Sequence, residues 1–133
     1  MTKILVIDDD AIVRMTVEQI LRDAGYEVLT AENGLRGMAV FRSEQPDLVI
    51  TDILMPEQEG IQTIAEMRKA KPDAKIIAIS GGGHGGKVDF LRMARALGAM
   101  DVVPKPFDLD QLLAIVENCL TGPERRDNSG HAA

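Results

Sequence analysis

The chain has 133 residues, long enough for one packed domain and short for a core plus a second independent module. Hydrophobic residues make up 45% and charged ones 27%, with 15 Lys and Arg against 21 Asp and Glu, a formal charge of -6 that repels a phosphate backbone and disfavours nucleic acid as a partner. The single cysteine, Cys119, excludes an internal disulfide and a cysteine-built zinc site, and no apolar run nears the roughly 18 residues of a membrane span.

The opening MTKILVIDDD carries charge too early for a signal peptide, so a reduced, cytoplasmic setting without membrane contact is expected. Its run Lys3 to Ile7 (KILVI) is rich in β-branched residues and predicts a strand. A helix follows, with Val13, Val17, Ile20, Leu21 and Ala24 on one face, Glu18 and Arg22 paired on the other, and Gly25 just past its end. Further short apolar runs at Tyr26 to Thr30, Asp47 to Thr51, Lys75 to Ile79 and Met100 to Val103 predict four more strands. Helices are expected between them near Gly34 to Ser43, Gln58 to Lys69 and Lys87 to Leu97. The last helix carries the stripe Leu109, Leu112, Leu113, Val116 and Leu120, started by Asp108 as N-cap with Gln111 three residues on, and Cys119 lies near its inner side as a packing residue. Alternating short strands and longer helices mean repeated βα units. The expected fold is a doubly wound α/β domain with a five-stranded parallel sheet over residues 1–120. Residues 121–133, beginning TGPERRDNSG, offer nothing apolar to dock and are expected to form a disordered tail.

In such a sheet, functional groups gather beyond the carboxyl ends of the strands. The first strand runs into Asp8, Asp9 and Asp10, the third into Asp52, the fourth into Ser80, and the fifth through Pro104 into Lys105. Carboxylates set that close repel one another, and a hard cation that takes oxygen ligands and keeps waters, magnesium before calcium, is the natural guest. With the Lys105 ammonium beside it, the site suits phosphoryl transfer onto an aspartate. Taken singly, an Asp after a strand is most often a helix cap, a Ser begins a turn, and a Lys before Pro is solvated. Acid, acid, hydroxyl and ammonium delivered by four strand ends are more than caps and turns require.

These residues resemble the receiver domain of two-component response regulators. The likeness spans Lys3 to about Leu120 and rests on ILVIDDD, DLVITDILMPEQEG, IIAIS and the VVPKPF run. It implies the flavodoxin-like sheet order 2-1-3-4-5, that Asp52 is the phosphoacceptor, and that Asp8, Asp9, Asp52 and the backbone carbonyl of Leu54 hold Mg²⁺. Ser80 matches the family's switch hydroxyl and Lys105 the lysine that pairs with the phosphoryl group. The implied partners are a sensor histidine kinase or histidine phosphotransfer protein, and a downstream protein target reached by a phosphorylation-driven change of the protein-binding face. Such a chain is a signalling phosphoacceptor rather than an enzyme. Two departures stand out: Val102 occupies the position where the family usually carries an aromatic switch, and glycines crowd the loop after Ser80. Gly81, Gly82 and Gly83 are therefore expected to move in switching.

Two other readings attach to single motifs. Asp8-x-Asp10-x-Ile12 approaches the D-x-D-x-T/V signature of haloacid-dehalogenase-like phosphatases, with Asp8 as nucleophile and Asp10 as general acid, but Ile12 departs from it. Gly81 to Lys87 meets the G-x-x-x-x-G-K spacing of a nucleotide-binding P-loop, but Val88 stands where a magnesium-binding hydroxyl belongs.

Overall fold

The structure, a computed structural model, describes residues 2–52, 59–80, 96, 99, 101–104 and 108–121. In chain order they form β1 (Lys3–Ile7), α1 (Ala11–Asp23), β2 (Glu27–Ala31), α2 (Gly34–Glu44), β3 (Leu48–Asp52), α3 (Glu59–Ala70), β4 (Ile76–Ser80), β5 (Asp101–Pro104) and α4 (Leu109–Thr121). The strands make one five-stranded sheet, every neighbouring pair parallel, in the order β2-β1-β3-β4-β5. This is the expected doubly wound order, and the strand order reverses between β1 and β3.

Strand alternation feeds two cores. Leu5, Ile7, Val49, Ile76 and Ala78 face one side, where Met38 and Phe41 of α2 and Ile64 and Met67 of α3 cover them. Ile4, Val6, Leu48, Ile50, Ile77, Ile79 and Val103 face the other, under Val17 and Leu21 of α1 and Leu112, Val116 and Cys119 of α4. Right-handed crossovers explain the split: the step from β1 to β2 goes one way along the sheet, those from β2 to β3 and β3 to β4 go the other, and so α1 lies opposite α2 and α3. Buried on both faces, the strands read as continuous apolar runs. Gly37 lets α2 come close to the sheet, because a Cβ there would fall on the Ile7 side chain.

Helix ends are set by local chemistry. Asp10 caps α1, its carboxylate accepting the N–H groups of Ile12 (3.0 Å) and Val13 (3.3 Å). At the other end Gly25 N–H donates to Arg22 O (3.0 Å) and Tyr26 N–H to Leu21 O (3.1 Å), with Gly25 at φ 100°. That paired bonding is a Schellman motif, which asks for a residue in the left-handed region at Gly25. Asn33 caps α2 by accepting from Arg36 N–H (2.8 Å), and Asp108 accepts from Asp110 N–H (2.9 Å) at the start of α4. Glu18 and Arg22 pair at 3.0 Å as their spacing predicts.

Several boundaries differ from expectation. The four later strands each begin one residue further on than their apolar runs suggested. For β2 the reason is that the Tyr26 N–H belongs to the cap of α1, and the ladder opens with Glu27 donating to Thr2 O (2.9 Å). Ala24, expected on the inner face of α1, is its exposed C-cap. α4 runs to Thr121, one residue past the expected boundary at 120, and Thr121 Oγ1 donates to Glu117 O (2.9 Å). Of the helix expected over Lys87 to Leu97 only Ala96 is described, and it is helical; the rest of that helix and the tail from residue 122 lie outside the described residues.

Candidate functional site at the carboxyl edge of the sheet

The register between β1 and β3 builds the site. Ile7 pairs with Thr51, so one step further along both strands Asp8 comes level with Asp52. Parity matters too: Asp8 continues the Ile4 and Val6 face, and Asp52 the Leu48 and Ile50 face, both toward the α1 side of the sheet. The connection from β1 to α1 then carries Asp9 to the same place. One carboxylate oxygen from each of Asp8, Asp9 and Asp52 lies within 4.8 Å of the others. Asp8 and Asp52 are buried, at 1% and 3% exposure, while Asp9 is exposed.

The turn that presents these groups is held by its own hydrogen bonds. Asp8 N–H still belongs to the sheet, donating to Ala31 O (3.2 Å). Its carboxylate Oδ1 accepts Asp10 N–H (2.8 Å), and its carbonyl accepts the guanidinium Nη1 of Arg14 (2.7 Å). Beneath Asp52, the buried Thr51 hydroxyl donates to the Asp52 carbonyl (3.2 Å). Chemically this is an oxygen-only cradle with one side open to water. Three like charges so close cost about 1 kcal/mol per pair at roughly 4 Å in water, and about 4 at an effective dielectric of 20. A hard divalent cation would offset that repulsion while keeping waters on the Asp9 side.

The structure thus brings together Asp8, Asp9 and Asp52 and separates Asp10 from them in role. Asp10 is committed to capping α1, which removes it as the general acid of a phosphatase built on Asp8. Ser80 ends β4 opposite Pro104 of β5, and Val102 pairs with Ala78, so their backbones stand on the expected strands. Leu54, Lys105 and the loop Gly81, Gly82 and Gly83, with the P-loop-like stretch to Lys87, lie outside the described residues. Arg14 was missed from the sequence, where it reads as one more surface cation on an amphipathic helix.

Residues 4–117 match the response regulator receiver domain family. The chain belongs to that family. This receiver domain is 36% identical over 119 residues to the chemotaxis protein CheY of Listeria monocytogenes, a match covering 88% of this chain and 97% of that one. It is 35% identical over 125 residues to the DNA-binding transcriptional regulator NtrC of Rhizobium meliloti, covering 92% of this chain but only 25% of the relative. Its fold superposes on the crystal structure of a response regulator receiver domain protein from Clostridium thermocellum with a TM-score of 0.84 at 31% identity, over 93% of this chain and 98% of that one. The receiver domain is therefore a phosphoacceptor of two-component signalling, phosphorylated on an aspartate, and membership removes the ground for both rival motifs. Among the described residues no helix is long and apolar enough to cross a membrane.

Proposed function

We propose that Asp52 is the phosphoacceptor of this receiver domain and that the fold through Thr121 is its signalling module. The observation that carries this reading is the convergence of Asp8, Asp9 and Asp52 where the strand order reverses. An Asp52 carboxylate oxygen bonds the phosphorus of a phosphohistidine on a sensor kinase or phosphotransfer protein. The phosphorus–nitrogen bond breaks, and the imidazole leaves with the electron pair and takes up a proton. Asp8, Asp9 and Asp52, joined by the Leu54 carbonyl, would hold Mg²⁺, which when bound offsets the charge of the phosphoryl oxygens. Ser80 and Lys105 are assigned by resemblance to bind the phosphoryl group once it is on Asp52. Their movement, with that of Gly81, Gly82 and Gly83, would shift the face made by the helix expected near Lys87 to Leu97, β5 and α4 between two states that a downstream protein distinguishes. The domain assists its own phosphorylation and dephosphorylation and turns over no separate substrate.

Incubation with a small acyl phosphate and Mg²⁺, followed by peptide mapping, tests the assignment. Label is expected on Asp52, absent in Asp52→Asn and blocked by EDTA; full labelling of Asp52→Asn would refute it.

A further inference from the structure

We propose that Arg14 is a positioning residue of the acidic site, holding the β1–α1 turn in the form in which Asp8 and Asp9 meet Asp52. The inference rests on the metal reading of that site and adds a residue to it.

Asp8 is where the chain leaves the sheet. Its N–H is the last to reach β2, at Ala31 O, while its carbonyl turns away to the Arg14 guanidinium (2.7 Å) six residues on. Arg14 is also fixed at its backbone, its N–H donating to Asp10 O (2.9 Å) in the first turn of α1. Asp10 in turn donates its N–H to Asp8 Oδ1 (2.8 Å) and caps the helix with its own carboxylate. Residues 8 to 14 therefore close a ring, from the Asp8 carboxylate through Asp10 and the first helical turn to the Arg14 side chain and back to the Asp8 carbonyl. A hydrogen bond with a charged partner is stronger than a neutral one, and the Arg14 bond is partly buried, as is the one from Asp10 N–H to the Asp8 carboxylate, so the two together fix the turn from both sides of Asp8. The carboxylates it positions are those whose convergence defines the site.

A second role for the same guanidinium predicts the opposite sign. If Arg14 served only as a positive charge near the cluster, removing it would leave a more negative site and Mg²⁺ would bind more tightly. If it positions, removing it lets the carboxylates spread and Mg²⁺ binds more weakly. Partners that orient metal ligands are worth about 10–100-fold in affinity, and a half-exposed contact belongs at the lower end.

The test compares wild type, R14M and R14K by calorimetric Mg²⁺ titration, and by hydrogen exchange at the Asp10 amide in metal-free protein. R14M is expected to bind Mg²⁺ about tenfold more weakly, and its Asp10 amide to exchange faster while amides of β3 and β4 keep their protection. R14K, keeping the charge and one donor, should recover part of both. Equal or tighter Mg²⁺ binding by R14M overturns the proposal, as does unchanged Asp10 exchange, or R14K no better than R14M. Wild type that binds no Mg²⁺ would instead refute the metal reading, and the metal-free Asp10 comparison would still decide the role of Arg14.

Discussion

The two edges of the sheet carry charge in opposite ways. At the amino edge charges meet partners. Lys3 Nζ lies 3.4 Å from the Glu44 carboxylate and 3.3 Å from the Glu44 carbonyl near the end of α2, Asp47 accepts Lys3 N–H at 2.8 Å, and Lys75 Nζ reaches the Leu120 carbonyl in the last turn of α4 at 3.3 Å. Cations at helix carboxyl ends are favourable through the helix dipole and the unpaired carbonyls there. At the carboxyl edge three carboxylates converge. The strands supplying both edges are alike, so the difference marks what each edge is for: one closes the fold, and the other gathers carboxylates whose repulsion a bound cation would relieve.

The largest way to break this contrast is to disturb the packing beneath the carboxyl edge. Gly37→Ala places a methyl group on Ile7, the last residue of β1, and should cost about 1–3 kcal/mol in urea unfolding by forcing α2 off the sheet. A smaller and sharper test compares signs. Asp9→Asn, measured without divalent metal, relieves like-charge repulsion and should raise stability by about 1 kcal/mol, roughly 4 °C in thermal midpoint. Glu44→Gln at the amino edge removes a solvent-exposed pair and should lower stability by about 0.5 kcal/mol or less. If the two substitutions shift stability in the same direction, the contrast between the edges fails.

The smallest effect concerns Tyr26 at the amino edge. Burial raises its hydroxyl pKa above the ordinary 10.0, and the nearby Glu117 carboxylate raises it further. A raised folded-state value means that the folded form holds its proton more tightly. Its contribution is complete below pH 10 and is lost as pH rises through the folded pKa. Tyr26→Phe should therefore leave stability at pH 8 little changed and flatten its decline above pH 10, read from unfolding midpoints across that range.

Much of the site was legible because two periods meet in it. Apolar runs of strand length stop at Asp8 and Asp52, and the rule that sites collect beyond strand ends picks out both without a structure. Asp10 was the ambiguous member: its residue type suits a cap and the general acid of the phosphatase reading equally, and only the bonds to Ile12 and Val13 decide for the cap. Tyr26 misled for a related reason. Its side chain favours a strand, but its N–H completes a helix cap, and backbone bonding rather than side-chain preference sets where β2 begins.

By itself the sequence determined the βα alternation and the acidic residues, because hydrophobic periodicity leaves few alternatives, while the sheet order came from the likeness to receiver domains. The tertiary structure decided the register, which sets Ile7 beside Thr51 and so Asp8 level with Asp52, and it decided that Arg14 turns back onto the Asp8 carbonyl. Both depend on where separate segments meet in space. A cation on an amphipathic helix looks the same in sequence whether its side chain ends in water or on the turn that carries the site.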